Sequence, residues 1–308
     1  MTTADNAAQR PGAAREGLLA RHPLVFFFLI SYAFSWIAWS PWILSEDGVG
    51  LLPYKLGHTA SGLFNTAAIF LGPTVSAFIM TATTEGRAGI RRLLRRIVLW
   101  RVGLRWYLFA FLGVPLVMAL GTIIVPGGLA SFQFLGPGYV LTYLTTFIPV
   151  LIMGVPLFEE IGWRGFALPR LQRLHGPLVG SIILGLLWGL WHLPMFMVPT
   201  WAATSGGSDL LAIVKFGLFA IASAIVITWV FNNTKGSVLM AILVHASIDA
   251  PFLPFSVTSV TFCPSEAWNS MLLSFGVVAL LVVAFTRGRL GYQHYRQEEE
   301  PASATAPT

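Results

Sequence analysis

The chain has 308 residues, of which 56% are hydrophobic and only 10% charged, and its mean hydropathy is +0.73. Soluble domains carry about 25% charged residues, so an ordinary water-soluble globule is excluded, and solid apolar blocks rather than short alternating segments exclude a β-barrel. A net charge of +6 would suit nucleic acid or an anionic membrane surface. In so apolar a chain its distribution along the sequence is the better guide, and no nucleic-acid partner is expected.

In chain order, residues 1–22 lack apolar periodicity and read as a disordered tail. The block Leu24–Leu44 is longer than a signal-peptide core and lacks a small-residue cleavage site, so it reads as a retained helix. Further apolar blocks fall near 61–82, 106–126, 142–168, 178–198, 210–231, 237–255 and 267–286. Each is about as long as a bilayer requires, which predicts an all-α, polytopic transmembrane bundle of about eight spans. The fourth block contains Pro149 and Pro156 and is predicted to be kinked. The transmembrane domain is taken as 23–290, followed by a second disordered tail over 291–308. The single cysteine, Cys263, excludes an intramolecular disulfide and any multi-cysteine metal site.

Eight spans put both termini on one side of the membrane. With the N-terminus inside, the inner segments hold Arg10, Arg15, Arg21, the cluster from Arg87 to Arg105, Arg164, Arg170, Arg173, Lys235, Arg287, Arg289 and Arg296. The outer loops hold Lys55, with Lys215 in the outer part of a span, and carry Glu46, Asp47, Asp209 and Glu266. That asymmetry is the positive-inside pattern and predicts cytoplasmic termini. The stretch Gly89–Trp106 sets Arg91, Arg92, Arg95 and Arg96 on one helical face, which suits an interfacial helix or simply marks topology. The chain is expected in a cell membrane, in a bacterium the inner one, in contact with its lipids.

Ionisable residues inside spans cost several kcal/mol unless paired or hydrated, so each is a functional candidate. Three places stand out: Glu159, Glu160 and Arg164 in LFEEIGWRGFAL, His192 in GLLWGLWHLP, and His245 with Asp249 in ILVHASIDAP. Glu160 and Arg164 are four apart and can pair on one helical face, as a juxtamembrane salt bridge would. If the helix continues to Leu168, however, Glu159 lies about nine residues, roughly 13 Å, inside the boundary. His245, counted from Gly236, has a similar depth, with Asp249 one turn further on the same face. His192, counted from Pro177, would sit roughly 22 Å deep, a mismatch unless its helix starts late, tilts or re-enters. Two carboxylates and two histidines on three spans can offset one another's burial in a bundle interior. Their chemistry suits activation of water and stabilisation of an oxyanion.

The three patterns Glu159-Glu160-x-x-x-Arg164, Trp188-x-x-x-His192 and His245-x-x-x-Asp249 resemble, in order, those of the CAAX-protease and bacteriocin-processing (CPBP, or Abi) intramembrane proteases. That family includes the type II CAAX prenyl endopeptidases, and the resemblance covers roughly 140–255. It implies an endopeptidase of a membrane-associated or lipidated protein or peptide, acting in CAAX-type or in leader and precursor processing. In it Glu159 would be the general base, acting with His192 on a water. His245 with Asp249 would stabilise the oxyanion, and Glu160 with Arg164 would orient the site. Many members carry Asn where this chain has Asp249, and an ionised aspartate cannot donate a hydrogen bond. Asp249 must then be protonated, orient His245 or help hold a metal. The family is often labelled metalloprotease, and Glu159, His192 and His245 could chelate zinc. There is no HExxH, and a metal-free glutamate mechanism fits the same residues. A proton-coupled transporter and a non-catalytic immunity or scaffold protein are the alternatives.

Overall fold

A computed structural model describes residues 17–125, 136–152, 155–250 and 267–299. Among these residues there is no strand, and six helices are long and apolar enough to cross a membrane, or seven if one bent pair counts as a single span. In chain order the helices are α1 Pro23–Leu44, α2 His58–Ile97, α3 Leu104–Ile124, α4 Gly136–Ile152, α5 Val155–His175, α6 Pro177–Trp191, α7 Pro199–Thr204, α8 Leu210–Asn233, α9 Val238–Asp249, α10 Ala267–Thr286 and α11 Tyr292–Glu299. The expected multi-pass helical bundle is therefore what the chain forms.

The seventh expected span, 237–255, is the one that differs over its described part. The α9 helix has 12 residues, about 18 Å at 1.5 Å per residue, against a hydrocarbon core of about 30 Å. From Val238 to Ile248 nearly every residue is buried. A helix apolar all round belongs in the interior of a bundle, where neighbours cover every face. Ser237 caps it by accepting from the Met240 amide at 3.1 Å while donating to the Leu99 carbonyl at 2.6 Å. The rest of that expected span, with Cys263, lies outside the described residues.

Two further expectations change. The basic stretch Gly89–Trp106 is not one interfacial helix. Its first half continues α2 to Ile97, and α3 begins only at Leu104. Gly86 makes this possible: at φ 59° and ψ −152° it breaks the helical run in a conformation open to glycine, so the arginine-bearing segment leaves the span in a new direction. The stretch taken as a C-terminal tail contains α11. Tyr295 is 1% exposed, packs on Phe231 with ring centroids 5.4 Å apart, and accepts from Arg96 Nη2 at 2.7 Å. One buried aromatic per turn is too little periodicity to read from a polar sequence. At the other end Leu18–Arg21 form a helical turn packed on the same part of α2, while 1–16 and 300–308 lie outside the described residues.

The α5 helix is set in place by close contacts with α1 and α2. It is bent by 43° from the segment Thr145–Leu151 of α4 and loosens into a π turn at Trp163–Ala167, directly after the two glutamates. A matching π turn at Phe70–Val75 in α2, built around Pro73, lies against it. Thr74 Oγ1 donates to the Phe158 carbonyl at 2.5 Å, one residue before Glu159. Gly162 touches Pro73 so closely that a Cβ there would come within 2.5 Å of the Pro73 Cβ. Phe27 on Phe166, Phe28 on Trp163 and Trp39 on Trp191 complete an aromatic seam joining α1 to α5 and α6.

Candidate active site

The three sequence patterns arrive on α5, α6 and α9, and the fold brings them together. Glu159 and Glu160 are 2% and 0% exposed, Arg164 is 0% exposed and His245 3%. The run LFEEIGWRGFAL has therefore not reached solvent.

Glu160 is the centre of one half of the site. Its Oε1 accepts from Arg164 Nη1 at 2.6 Å and from His245 Nδ1 at 2.8 Å. A carboxylate oxygen only accepts, so Nδ1 carries a proton and His245 turns Nε2 toward Asp249, whose Oδ2 lies 3.5 Å away. That is ion-pair distance, longer than a good hydrogen bond. Arg164 is held a second time, with its guanidinium 5.1 Å from the Trp188 ring centre. The expected pairings Glu160–Arg164 and His245–Asp249 both occur. The link from Glu160 to His245 was not legible, because it joins residues 85 positions apart.

Glu159 forms the other half. Its Oε2 accepts two indole N–H bonds, from Trp188 Nε1 at 2.6 Å and from Trp163 Nε1 at 3.2 Å, and Oε1 takes part in neither. Trp188 also supplies its backbone carbonyl to His192 Nδ1 at 2.9 Å. A carbonyl only accepts, so the proton sits on Nδ1 and the lone pair of the neutral ring is on Nε2. The same Trp188 ring meets His245 edge-on at 5.1 Å. One tryptophan thus touches Glu159, Arg164, His192 and His245.

The depth mismatch at His192 resolves at this point. The residue that comes down to Glu159 is Trp188, one turn before His192, while His192 caps the end of α6 where the chain turns into the 3₁₀ helix Leu193–Met197. His192 is only half-buried and lies between Trp191, Trp201 and Phe216. It sits in a cluster of aromatic rings at the end of α6. Asp249 is also half-buried, with its side chain 30% exposed.

The zinc set Glu159, His192 and His245 does not fit this arrangement. Among the described residues no three His, Cys, Asp or Glu side chains gather as ligands. His245 is bonded to Glu160 rather than Glu159, and Glu159 gives Oε2 to two indoles.

In the sequence Trp188 stands as the aromatic position of a pattern, and Trp163 as one more apolar residue of the helix that follows the glutamates. Their signal was spacing: Trp163 stands four residues after Glu159, and Trp188 four before His192. An indole is a donor only, and two indoles at helical spacing from a carboxylate and a histidine are suited to holding a buried anion.

Fold and site together define a multi-pass helical membrane protein with a buried acid–histidine centre. Residues 141–251, which include every residue of that centre, match the family described as type II CAAX prenyl endopeptidase Rce1-like. The chain is also 27% identical over 232 residues to the CAAX prenyl protease 2 of Methanococcus maripaludis, an alignment covering 72% of this chain and 81% of that protein. Both comparisons bear out the resemblance read from the three motifs, and both support a protease of the CAAX type. Neither favours the transporter or the scaffold alternative.

Proposed function

We propose that this chain is an intramembrane endopeptidase that hydrolyses a peptide bond of a lipidated, CAAX-type protein or peptide, with Glu159 and His192 activating the water. The observation that carries this reading is the convergence on Trp188, which donates to Glu159 at 2.6 Å and accepts from His192 at 2.9 Å. Glu159 Oε1 and His192 Nε2 are the acceptors left over on the two sides of one residue, and a water between them would be polarised by both.

The chemistry balances as follows. Glu159 takes a proton from the water as its oxygen adds to the scissile carbonyl carbon. The carbonyl oxygen becomes an oxyanion, stabilised by His245 Nε2–H at the open side of its contact with Asp249. The proton then passes to the leaving nitrogen as the C–N bond breaks, giving a carboxylic acid product and a free amine. Glu160 and Arg164 act as positioning residues: the carboxylate holds the Nδ1 proton and the ring plane of a doubly protonated His245, whose Nε2–H is the second donor, and the guanidinium holds the carboxylate. Asp249, near the Nε2 edge, orients that nitrogen and favours a proton on it.

The lipidated substrate class is supported by the likeness to the CAAX prenyl protease 2 of Methanococcus maripaludis and by the apolar, aromatic surroundings of the half-buried His192, which suit a lipid chain beside the scissile bond. The test is cleavage of a prenylated CAAX peptide beside its modified cysteine by the purified protein in lipid. Wild type is expected to cleave it and to prefer it over the unprenylated peptide. His192→Ala, at a half-buried position, should keep its melting temperature and lose the activity by about 10²–10⁴-fold. Cleavage unchanged in His192→Ala would refute the role given to His192.

A further inference from the structure

The first span, α1, lies outside the matched residues 141–251, yet it bonds to the helix that carries Trp188 into the site. The Tyr32 hydroxyl donates to the Leu187 carbonyl, and Trp36 Nε1 donates to the Trp191 carbonyl at 2.9 Å. Tyr32 and Trp36 are four residues apart on α1, and so are their two acceptors on α6. One face of α1 therefore holds successive turns of α6. The two donor rings lie 5.3 Å apart.

A carbonyl and the N–H of the next residue belong to one rigid peptide plane. The residues that follow Leu187 and Trp191 are Trp188 and His192. Each donor of α1 thus fixes the plane from which a side chain of the site departs. At the second plane the helix cannot do this itself. Pro194, three residues beyond Trp191, has no N–H to give that carbonyl, and the Met195 amide goes to the His192 carbonyl at 2.9 Å. Trp36 supplies the donor instead. Trp39 adds to the hold, with its ring 4.7 Å from that of Trp191 and its Nε1 donating to Asn65 Oδ1 of α2 at 3.0 Å.

Their depth shows that these donors are not an interfacial belt. Counted from Pro23, Tyr32 and Trp36 lie about 14 and 20 Å along a helix of about 33 Å. Tyrosine and tryptophan collect at membrane interfaces, where their polar ends meet water and headgroups. In mid-span each hydroxyl or indole N–H needs a protein acceptor, a demand that phenylalanine would not make. Packing alone does not account for two donors there.

We propose that Tyr32 and Trp36 are positioning residues for the hydrolysis, which rests on Glu159 and His192 being the pair that activates the water. They fix the last turn of α6, so that Trp188 keeps its bond to Glu159 and His192 keeps its place one turn later.

The test uses the full chain in lipid with a prenylated CAAX peptide, and wild type and His192→Ala as references. Tyr32→Phe/Trp36→Phe keeps two aromatic rings and removes both donors. Amide hydrogen exchange over residues 188–195 should quicken by about 5- to 30-fold, as the loss of one to two hydrogen bonds implies. The kcat should fall by about 10- to 100-fold with KM within about two-fold, the effect of a misplacement approaching 1 Å. Trp36 is 39% exposed, so Trp36→Phe alone, with an expected loss of about 5-fold, carries the test if the double variant fails to fold. In a His192→Ala background Trp36→Phe should cost less than about two-fold, because the residue it positions is gone. Unchanged exchange overturns the anchoring, and faster exchange with unchanged kcat overturns the positioning role. A full loss retained in the His192→Ala background overturns the assignment of Trp36 to His192. Equal cleavage by wild type and His192→Ala would instead refute the reading of the site on which the positioning role rests.

Discussion

The carboxylates of Glu160 and Glu85 are each shared between two basic side chains, and their settings are opposite. Glu160 bridges Arg164 and His245 with side-chain exposures of 0%, 0% and 4%. Glu85 bridges Arg92 and Arg170 with its own side chain 30% exposed and that of Arg92 51% exposed. Water can replace Arg92 at Glu85, so that bond contributes little to stability, while Arg170, with its side chain 14% exposed, is the more sheltered partner. Nothing can replace the partners of Glu160, so removing one strands a charge in a low-dielectric interior. The same bonding pattern is therefore a rigid brace at one place and an adaptable surface at the other. The brace suits a residue that must hold a histidine in one orientation.

The sharpest way to break that contrast is to remove one arginine from each set. Arg164→Ala should cost about 3–5 kcal/mol and lower the yield of folded protein, measured by thermal unfolding in detergent. The parallel Arg92→Ala should cost about 0–1 kcal/mol by the same measurement. Similar losses in the two variants would mean that burial is not what separates the sets.

Smaller changes sharpen the picture within the buried half. Trp188→Phe keeps the ring's bulk but removes the donor to Glu159. A bond to a charged group contributes about 1.5–3 kcal/mol, so kcat should fall about 10- to 100-fold with KM little changed. Gly162→Ala forces a methyl group into the Pro73 contact and should cost about 1–3 kcal/mol through overpacking. It should also impair cleavage, because that contact sets the approach of α5 to α2. An alanine variant as stable and active as wild type would show that the two π turns do not position the glutamates.

Much of this was legible in the sequence because it rests on local spacing. Glu160 to Arg164 and His245 to Asp249 are both i,i+4, and a single helix places such pairs whatever surrounds it. The contacts that were not legible join distant segments. Glu160 to His245, Trp188 to Glu159 and Arg96 to Tyr295 depend on which helix faces meet, and apolar periodicity does not encode that in a bundle buried on all sides. The burial of α9 within the bundle was hidden for a related reason. Hydropathy measures whether a segment avoids water, and protein or lipid can provide the shelter equally well. The zinc option failed because residue type alone could not show that His245 is bonded to Glu160 rather than Glu159.

The most direct test of the central claim is the single-turnover cleavage rate of Glu159→Gln on a prenylated CAAX peptide, measured beside wild type in the same lipid. The substitution keeps the side chain's shape and an oxygen for the indole donors while removing the base. The account predicts a folded protein of unchanged melting temperature whose rate falls by about 10²–10⁴-fold. A rate within a few-fold of wild type would contradict it.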